Sequence, residues 1–358
     1  MGDNKMNKNG VLKQEINTKP AKNAVKSLKT DTKPQKSTKK ASFNELENNQ
    51  IKQEKQFFRS FFFKGFNDYD IFVRVWDKVA EPKAVILFTH GMVEHGLRYD
   101  DFAQNLNKAG YIFVAPDIRG HGKTAGAPDQ VSIYDGDMFS DIVKDNIKLA
   151  DTLSNYYKLP LIIMGHSYGS FITQNFIQNY HKHKATVLIG SSCFKGRIDV
   201  KAGKIVASIT KIFKGKDTQA KMLYNMTFGN YGKNLENGNW LTHDLKIVDE
   251  YTHDPYCGRV CSAQFYKSFF TNLTKLYQKN GLKQIDKDIP ILITSGAQDP
   301  VAGKNHSSLD KLPQLYKNLG IKDVEYKLWE NGLHEILNET FKINVYKFII
   351  DWLDQKIK

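Results

Sequence analysis

Short apolar runs that stop at glycine or at a polar residue recur along this chain. "KAVILFTHG" (83–91), "YIFVAPD" (111–117), "LPLIIMG" (159–165), "ATVLIGSS" (185–192) and "IPILITSG" (289–296) are such runs. Their length and lack of polar alternation suit strands buried on both faces. "VEYKLWENG" (324–332) reads as a further strand, and "FFRSFFFKGF", "NDYD", "IFVRVWD" (57–77) as two strands joined by a tight turn. Helical spacing fills the gaps. Residues 99–109, 137–158, 307–319 and 340–357 are read as helices, as is the stretch after Ser167 that carries Phe171, Ile172, Phe176 and Ile177. Strand–helix alternation of this kind predicts an α/β fold, a mostly parallel sheet flanked by helices.

One segment breaks the rhythm. Residues 193–286 lack short buried strands and carry Lys-rich and aromatic-rich helical patterns, "GKIVASITKIF" and "FYKSFFTNLTKLYQ". The expectation is a helical cap inserted into a core made of 57–192 and 287–358. Its apolar residues Ile205, Val206, Ile209, Ile212, Phe213, Phe269 and Phe270 fit an acyl tunnel and the cap's own core equally well.

Composition changes the picture at the amino end. Residues 1–55 hold 13 lysines against 6 Asp and Glu, half of the net charge of +14. This segment has too few large apolar residues to offset the entropy of ordering, so 1–56 reads as a disordered basic tail. It lacks the apolar stretch of a signal peptide, and Met6 breaks the myristoylation pattern. No apolar run is long enough to span a membrane. A cytoplasmic protein is expected. The tail's charge fits a solubilising role best. Peripheral contact with an anionic membrane comes next, and non-specific nucleic-acid binding last, because no aromatic residue interleaves the first 42 positions. Cys193, Cys257 and Cys261 do not suggest a disulfide framework. His253, Cys257 and Cys261 share a helical spacing, but Pro255 and Gly258 interrupt it and no fourth ligand is evident, so no metal is assigned.

The candidate chemistry starts at "LIIMGHSYGS" (161–170). A buried strand running into Ser167 must turn sharply, and Gly165 and Gly169 make that turn sterically possible. Gly-x-Ser-x-Gly is the pattern of a strained strand-to-helix turn that exposes a nucleophilic hydroxyl. Such a serine needs a base, and the base an orienting acid. Asp299 follows the run "ILITSG" and His334 follows the last strand, so the chain order is Ser167, Asp299, His334. Asp288 and Asp310 are weaker rivals for the acid. His90, His95, His121 and His166 fit loop-ordering roles, and Glu94, Arg98, Asp117 and Arg119 fit loop-bracing ion pairs. The oxyanion donors would be the amides of Met92, in the turn His90-Gly91-Met92, and of Tyr168.

Taken together, "HGMVEHGLRY" (90–99), "DIRGHGKT" (117–124), "GHSYGS" (165–170), "GAQDPV" (296–301) and "GLHE" (332–335) resemble the monoacylglycerol lipase and lysophospholipase-like serine hydrolases of the α/β-hydrolase superfamily. "NWLTHDLKIVDEYTHDPYCG" (239–258) is similar to a cap segment of bacterial members. The resemblance covers 57–358. It implies Ser167 as nucleophile, Asp299 as acid, His334 as base, and no cofactor. Tyr168 and Ser170 stand where many members carry Met and Gly, which bears on pocket shape. The activity implied is hydrolysis of a single-chain lipid ester, a monoacylglycerol or lysophospholipid. A short-chain esterase or thioesterase with the same triad and a non-catalytic lipid-binding homologue are the alternatives. Oligomeric state is left open.

Overall fold

The computed structural model describes residues 57–357 apart from 234, 236 and 237. The basic tail therefore lies outside the described residues. Eight strands appear where the apolar runs predict them: β1 Arg59–Lys64, β2 Asp70–Trp76, β3 Ala84–Thr89, β4 Tyr111–Pro116, β5 Leu161–His166, β6 Ala185–Ile189, β7 Ile291–Gly296 and β8 Val324–Trp329. They form one sheet in the order β1-β2-β4-β3-β5-β6-β7-β8. From β4 to β8 every pairing is parallel; β1 and β2 add antiparallel strands at one edge.

The helices are α1 Asp100–Lys108, α2 Met138–Tyr157, α3 Tyr168–Phe176, α4 Ile198–Lys214, α5 Lys221–Phe228, α6 Leu245–His253, α7 Ala263–Leu276, α8 Lys279–Gln284, α9 Lys311–Asn318 and α10 Lys342–Lys356. Side chains of one strand alternate between two cores. Val85 and Leu87 of β3 join the layer under α2 and α3, while Ala84, Ile86 and Phe88 join the layer under α1 and α10. That division explains the unbroken apolar runs, since neither sheet face meets water. Asp137 caps α2 by accepting from the Ser140 amide, and Ser262 caps α7 by accepting from the Phe265 amide.

Two features of the topology position the site. The chain winds outward from β3 to β4, then crosses back to place β5 on the other side of β3. Winding direction thus reverses between β3 and β5, and open α/β sheets bind ligands at the carboxyl ends of strands at such a point. Helices α4 to α8 all lie between β6 and β7 in sequence. Gly203 lets α4 approach α7, since a Cβ there would sit 2.9 Å from the Phe270 ring. The α7 helix is tied to α2: Ser268 Oγ accepts from the Phe139 amide and donates to Asp137.

Candidate active site

Ser167 occupies the turn between β5 and α3 with φ 52° and ψ −120°, a conformation that L-residues rarely adopt. The surroundings hold it there. Its amide donates to the Ile189 carbonyl of β6 (2.9 Å), and its carbonyl accepts from the Ser170 amide and hydroxyl (2.8 and 2.6 Å). The flanking glycines do not carry the left-handed backbone; Ser167 does. Their contribution is space. A Cβ on Gly169 would lie 2.0 Å from the Thr89 carbonyl oxygen, and one on Gly165 would lie 2.4 Å from the Gly169 carbonyl oxygen. The pair lets α3 press onto β3 and β5, with the Ser167 side chain left at the cavity wall.

The loops after β7 and β8 bring Asp299 and His334 together. Asp299 accepts from the Val301 amide (2.8 Å), from Ser295 Oγ (2.8 Å) and from His334 Nδ1 (2.9 Å). Burial raises the Asp299 carboxyl, but the imidazole and these donors outweigh it, leaving its pKa below the ordinary value. Burial likewise disfavours the His334 imidazolium. Asp299 first, then Glu335 and Glu94, reverse that, and the net shift is upward. With Nδ1 donating to Asp299, Nε2 is left as the acceptor. It is buried without a protein hydrogen-bond partner among the described residues, Ser167 included, and the ring lies on the cavity wall. Trp240 and His166 pack against it, with ring centroids at 5.0 and 4.8 Å. Gly190 leaves room for it: a Cβ there would stand 3.1 Å from His334 Cε1.

The turn after β3 carries the Met92 amide. His90 Nε2 accepts from the Ile118 amide (3.0 Å) and its Nδ1 donates to the Gly91 carbonyl (2.9 Å), so this histidine braces the turn, as expected. A Cβ on Gly91 would lie 3.2 Å from Ser167 Cβ. Val93 has φ 48°, an outlier for a β-branched residue, and its carbonyl is held by the Gly258 amide (3.0 Å). Neither the Met92 nor the Tyr168 amide has a hydrogen-bond partner among the described residues.

A buried polar network underlies both loops. Arg98 grips Glu335 with two hydrogen bonds (2.8 and 2.7 Å) and Glu94 with a third (2.5 Å). Glu94 also accepts from the Gly91 amide (2.5 Å) and the Tyr99 hydroxyl (2.7 Å). One guanidinium therefore joins the turn that carries Met92 to the loop that carries His334. The other bracing residues pair elsewhere, Asp117 with Arg74 and Arg119 with Asp145.

A cavity of about 800 Å³ opens onto Ser167 and His334. Its apolar wall includes Phe171, Val200, Leu223, Phe269, Phe270 and Leu273. Of the expected tunnel residues, Phe269 and Phe270 are on this wall. Ile205, Ile209, Ile212 and Phe213 belong to neither tunnel nor core; they are exposed, Phe213 at 82% and Ile212 at 76%. Helix α4 turns Val200, Gly203 and Ala207 inward instead.

The family described as serine aminopeptidase, S33, matches residues 80–341. The chain belongs to that family. Among its relatives, the monoacylglycerol lipase of Mycolicibacterium smegmatis is 27% identical over 296 residues, which is 81% of this chain and 95% of that protein. A lipase solved in an open form aligns at TM-score 0.73 and 20% identity, covering 84% of this chain and 99% of that one. A soluble variant of monoglyceride lipase from Saccharomyces cerevisiae, with a substrate analogue, aligns at TM-score 0.65 and 21% identity, covering 86% and 97%. The fold is the α/β-hydrolase fold.

In this S33-family chain the rival acids lie apart from the site: Asp288 pairs with Lys322, and Asp310 accepts from Tyr326. His253 pairs with Asp249 on the exposed face of α6 and does not join the cysteines. Cys257 instead lies near His95 and Asp254, which hydrogen-bond to each other at 2.8 Å. Sequence reasoning missed Glu335 and Trp240 as neighbours of His334. Trp240 reaches it from the segment between α5 and α6, about a hundred residues away, and no local spacing signals that.

Proposed function

We propose that this chain hydrolyses the carboxylic ester of a single-chain lipid through an acyl-enzyme on Ser167. The observation that carries the reading is the polarised His334. Its Nδ1 is committed to Asp299 and its Nε2 is unpartnered on the wall of the cavity that Ser167 shares. As Ser167 Oγ bonds to the ester carbon, Nε2 takes its proton, and Asp299 stabilises the imidazolium. The carbonyl oxygen gains negative charge and meets the free amides of Met92 and Tyr168. The C–O bond to the alcohol then breaks, and His334 protonates the leaving oxygen. Water repeats the sequence, releasing the fatty acid and restoring Ser167. None of these steps calls for a cofactor. The apolar wall from α3, α4, α5 and α7 suits an acyl chain.

A peptidase reading is weaker. The carboxylates on the cavity wall are Glu94, Glu335 and Asp199, and each is held by an arginine. None stands free to receive a peptide's α-ammonium.

The outer face of α4 supports peripheral lipid contact. Ile198, Ile205, Ile209, Ile212 and Phe213 are exposed on a helix that also carries Lys201, Lys204, Lys211 and Lys214. Exposed apolar residues among lysines fit the boundary of an anionic membrane. The basic tail adds charge of the same sign. No helix among the described residues is long and apolar enough to cross a membrane.

The test is fatty-acid release from monoacylglycerols and lysophospholipids of matched chain length, with Ser167→Ala as control. Release that disappears in the variant is expected. Cleavage of short esters alone would reduce the reading to a general esterase.

A further inference from the structure

Most of the charge around the cavity is already spent. Glu94 and Glu335 are buried and gripped by Arg98, and Asp199 forks with Arg197. Two basic side chains on the wall remain without an ion pair or hydrogen bond among the described residues: Lys304 and Lys311. Both are exposed. The acid that adjoins Lys311, Asp310, is turned aside by the Tyr326 hydroxyl at 2.7 Å.

These two lysines come from one stretch of chain. The loop after Asp299 contributes Gly303, Lys304, Ser307 and Ser308 to the wall, and Lys311 begins α9. Arg197 joins the same stretch by donating to Ser308 Oγ (3.2 Å). One wall of the cavity is therefore cationic and hydroxyl-bearing, while α3, α4, α5 and α7 supply the apolar wall. Such a cavity divides as an amphiphile does. An acyl chain on the apolar wall with its ester carbon at Ser167 would leave the alcohol to the cationic wall. A plain glycerol gives two ammonium groups nothing to neutralise. A phosphate on that glycerol does, and it can accept from the serine hydroxyls as well.

Resting on the ester-hydrolase reading above, we propose that Lys304 and Lys311, with Ser307 and Ser308, form a head-group subsite for a phosphate. The preferred substrates would then be single-chain phosphoglycerides rather than neutral monoacylglycerols. The shared chemistry is a phosphate on the leaving glycerol, as a phosphomonoester or a phosphodiester.

The experiment uses decanoyl glycerol, decanoyl lysophosphatidic acid and decanoyl lysophosphatidylglycerol below their micelle concentrations, so that surface binding plays no part. The full-length chain is compared with Lys304→Ala/Lys311→Ala and with Lys304→Glu/Lys311→Glu. The expected result is a kcat/KM ratio of phosphate-bearing to neutral substrate of about ten at low salt, given the worth of two partly exposed ion pairs. The ratio should fall toward one with 0.5 M salt or in the alanine variant, and below one in the glutamate variant. A preference confined to lysophosphatidic acid assigns the subsite to the phosphomonoester; preference for both assigns it to the phosphate in general. A ratio near one in the native chain, or one unmoved by either double variant, overturns the subsite.

Equilibrium binding of the same three lipids to Ser167→Ala separates this from the underlying activity. A phosphate preference in binding without turnover by the native chain would keep the subsite and sink the hydrolase reading. Equal binding with intact hydrolysis would do the reverse.

Discussion

The carboxyl edge of the sheet and helix α4 treat apolar residues in opposite ways. At the sheet edge every large apolar side chain of β3, β5 and β7 is buried, and the buried carboxylates Glu94, Glu335 and Asp299 beside them are held by Arg98 and His334. On α4 the inward residues are small or few (Val200, Gly203, Ala207), while Ile198, Ile212 and Phe213 are at least three-quarters exposed. A core strand has only buried positions to fill, so each apolar residue lowers the free energy of the folded chain. A helix packed on one side has two faces, and apolar residues on the outer face do nothing for folding. Their presence among lysines is the observation on which the proposed lipid contact of α4 rests, while the sheet edge holds its side chains in place.

The largest effect that would break this contrast is on the frame. Asp299→Asn should lower kcat by about ten-thousand-fold, because the imidazole loses the partner that fixes its tautomer. The pH profile sharpens it. His334 acts as a base only when neutral, and its pKa lies above the ordinary value of about 6.5. Native activity should therefore rise with pH to a midpoint above that value, and the residual activity of Asp299→Asn should have a lower midpoint. A native midpoint below the ordinary value would contradict the carboxylate surroundings described for His334.

Arg98→Gln comes next. It leaves Glu94 and Glu335 buried without their guanidinium, and breaking a buried pair of this kind costs about 3–5 kcal/mol. Urea unfolding reads that loss directly. A change under about 1 kcal/mol would mean that the two loops are held by other contacts, and the matched-charge account of the sheet edge would fail.

The smallest effect on folding is expected from the exposed face. Ile212→Ser/Phe213→Ser should change unfolding free energy by no more than about 0.5 kcal/mol, as surface substitutions do. Sedimentation with anionic vesicles should nevertheless fall. Binding equal to the native chain would remove α4 from the lipid contact and leave its apolar face unexplained.

How much of this was legible beforehand differs between the two regions in the same way. All eight strands follow from the short apolar runs, and of the residues expected at their ends Ser167, His334, Met92 and Tyr168 line one cavity, with Asp299 hydrogen-bonded to His334. Of the seven residues expected to form an acyl tunnel or the cap's own core, Phe269 and Phe270 line the cavity and Val206 packs on the core, while Ile205, Ile209, Ile212 and Phe213 are exposed, because helical spacing identifies an apolar face without saying which way it turns. Gly165 and Gly169 make the turn at Ser167 sterically possible through clearance against Thr173 and Thr89, while Ser167 itself carries the positive φ.

The sequence by itself determined the element order and the points where strands end in reactive residues, because those depend on local periodicity and turn chemistry. Tertiary structure alone decided the reversal of winding between β3 and β5, which sets Ser167 beside the Met92 turn. It also decided the span of Arg98 from Glu94 to Glu335, and the approach of Trp240 to His334. These join residues far apart in the chain, and contacts of that kind leave no period to read. They arise only when helices and loops from separate stretches compete for the same buried space.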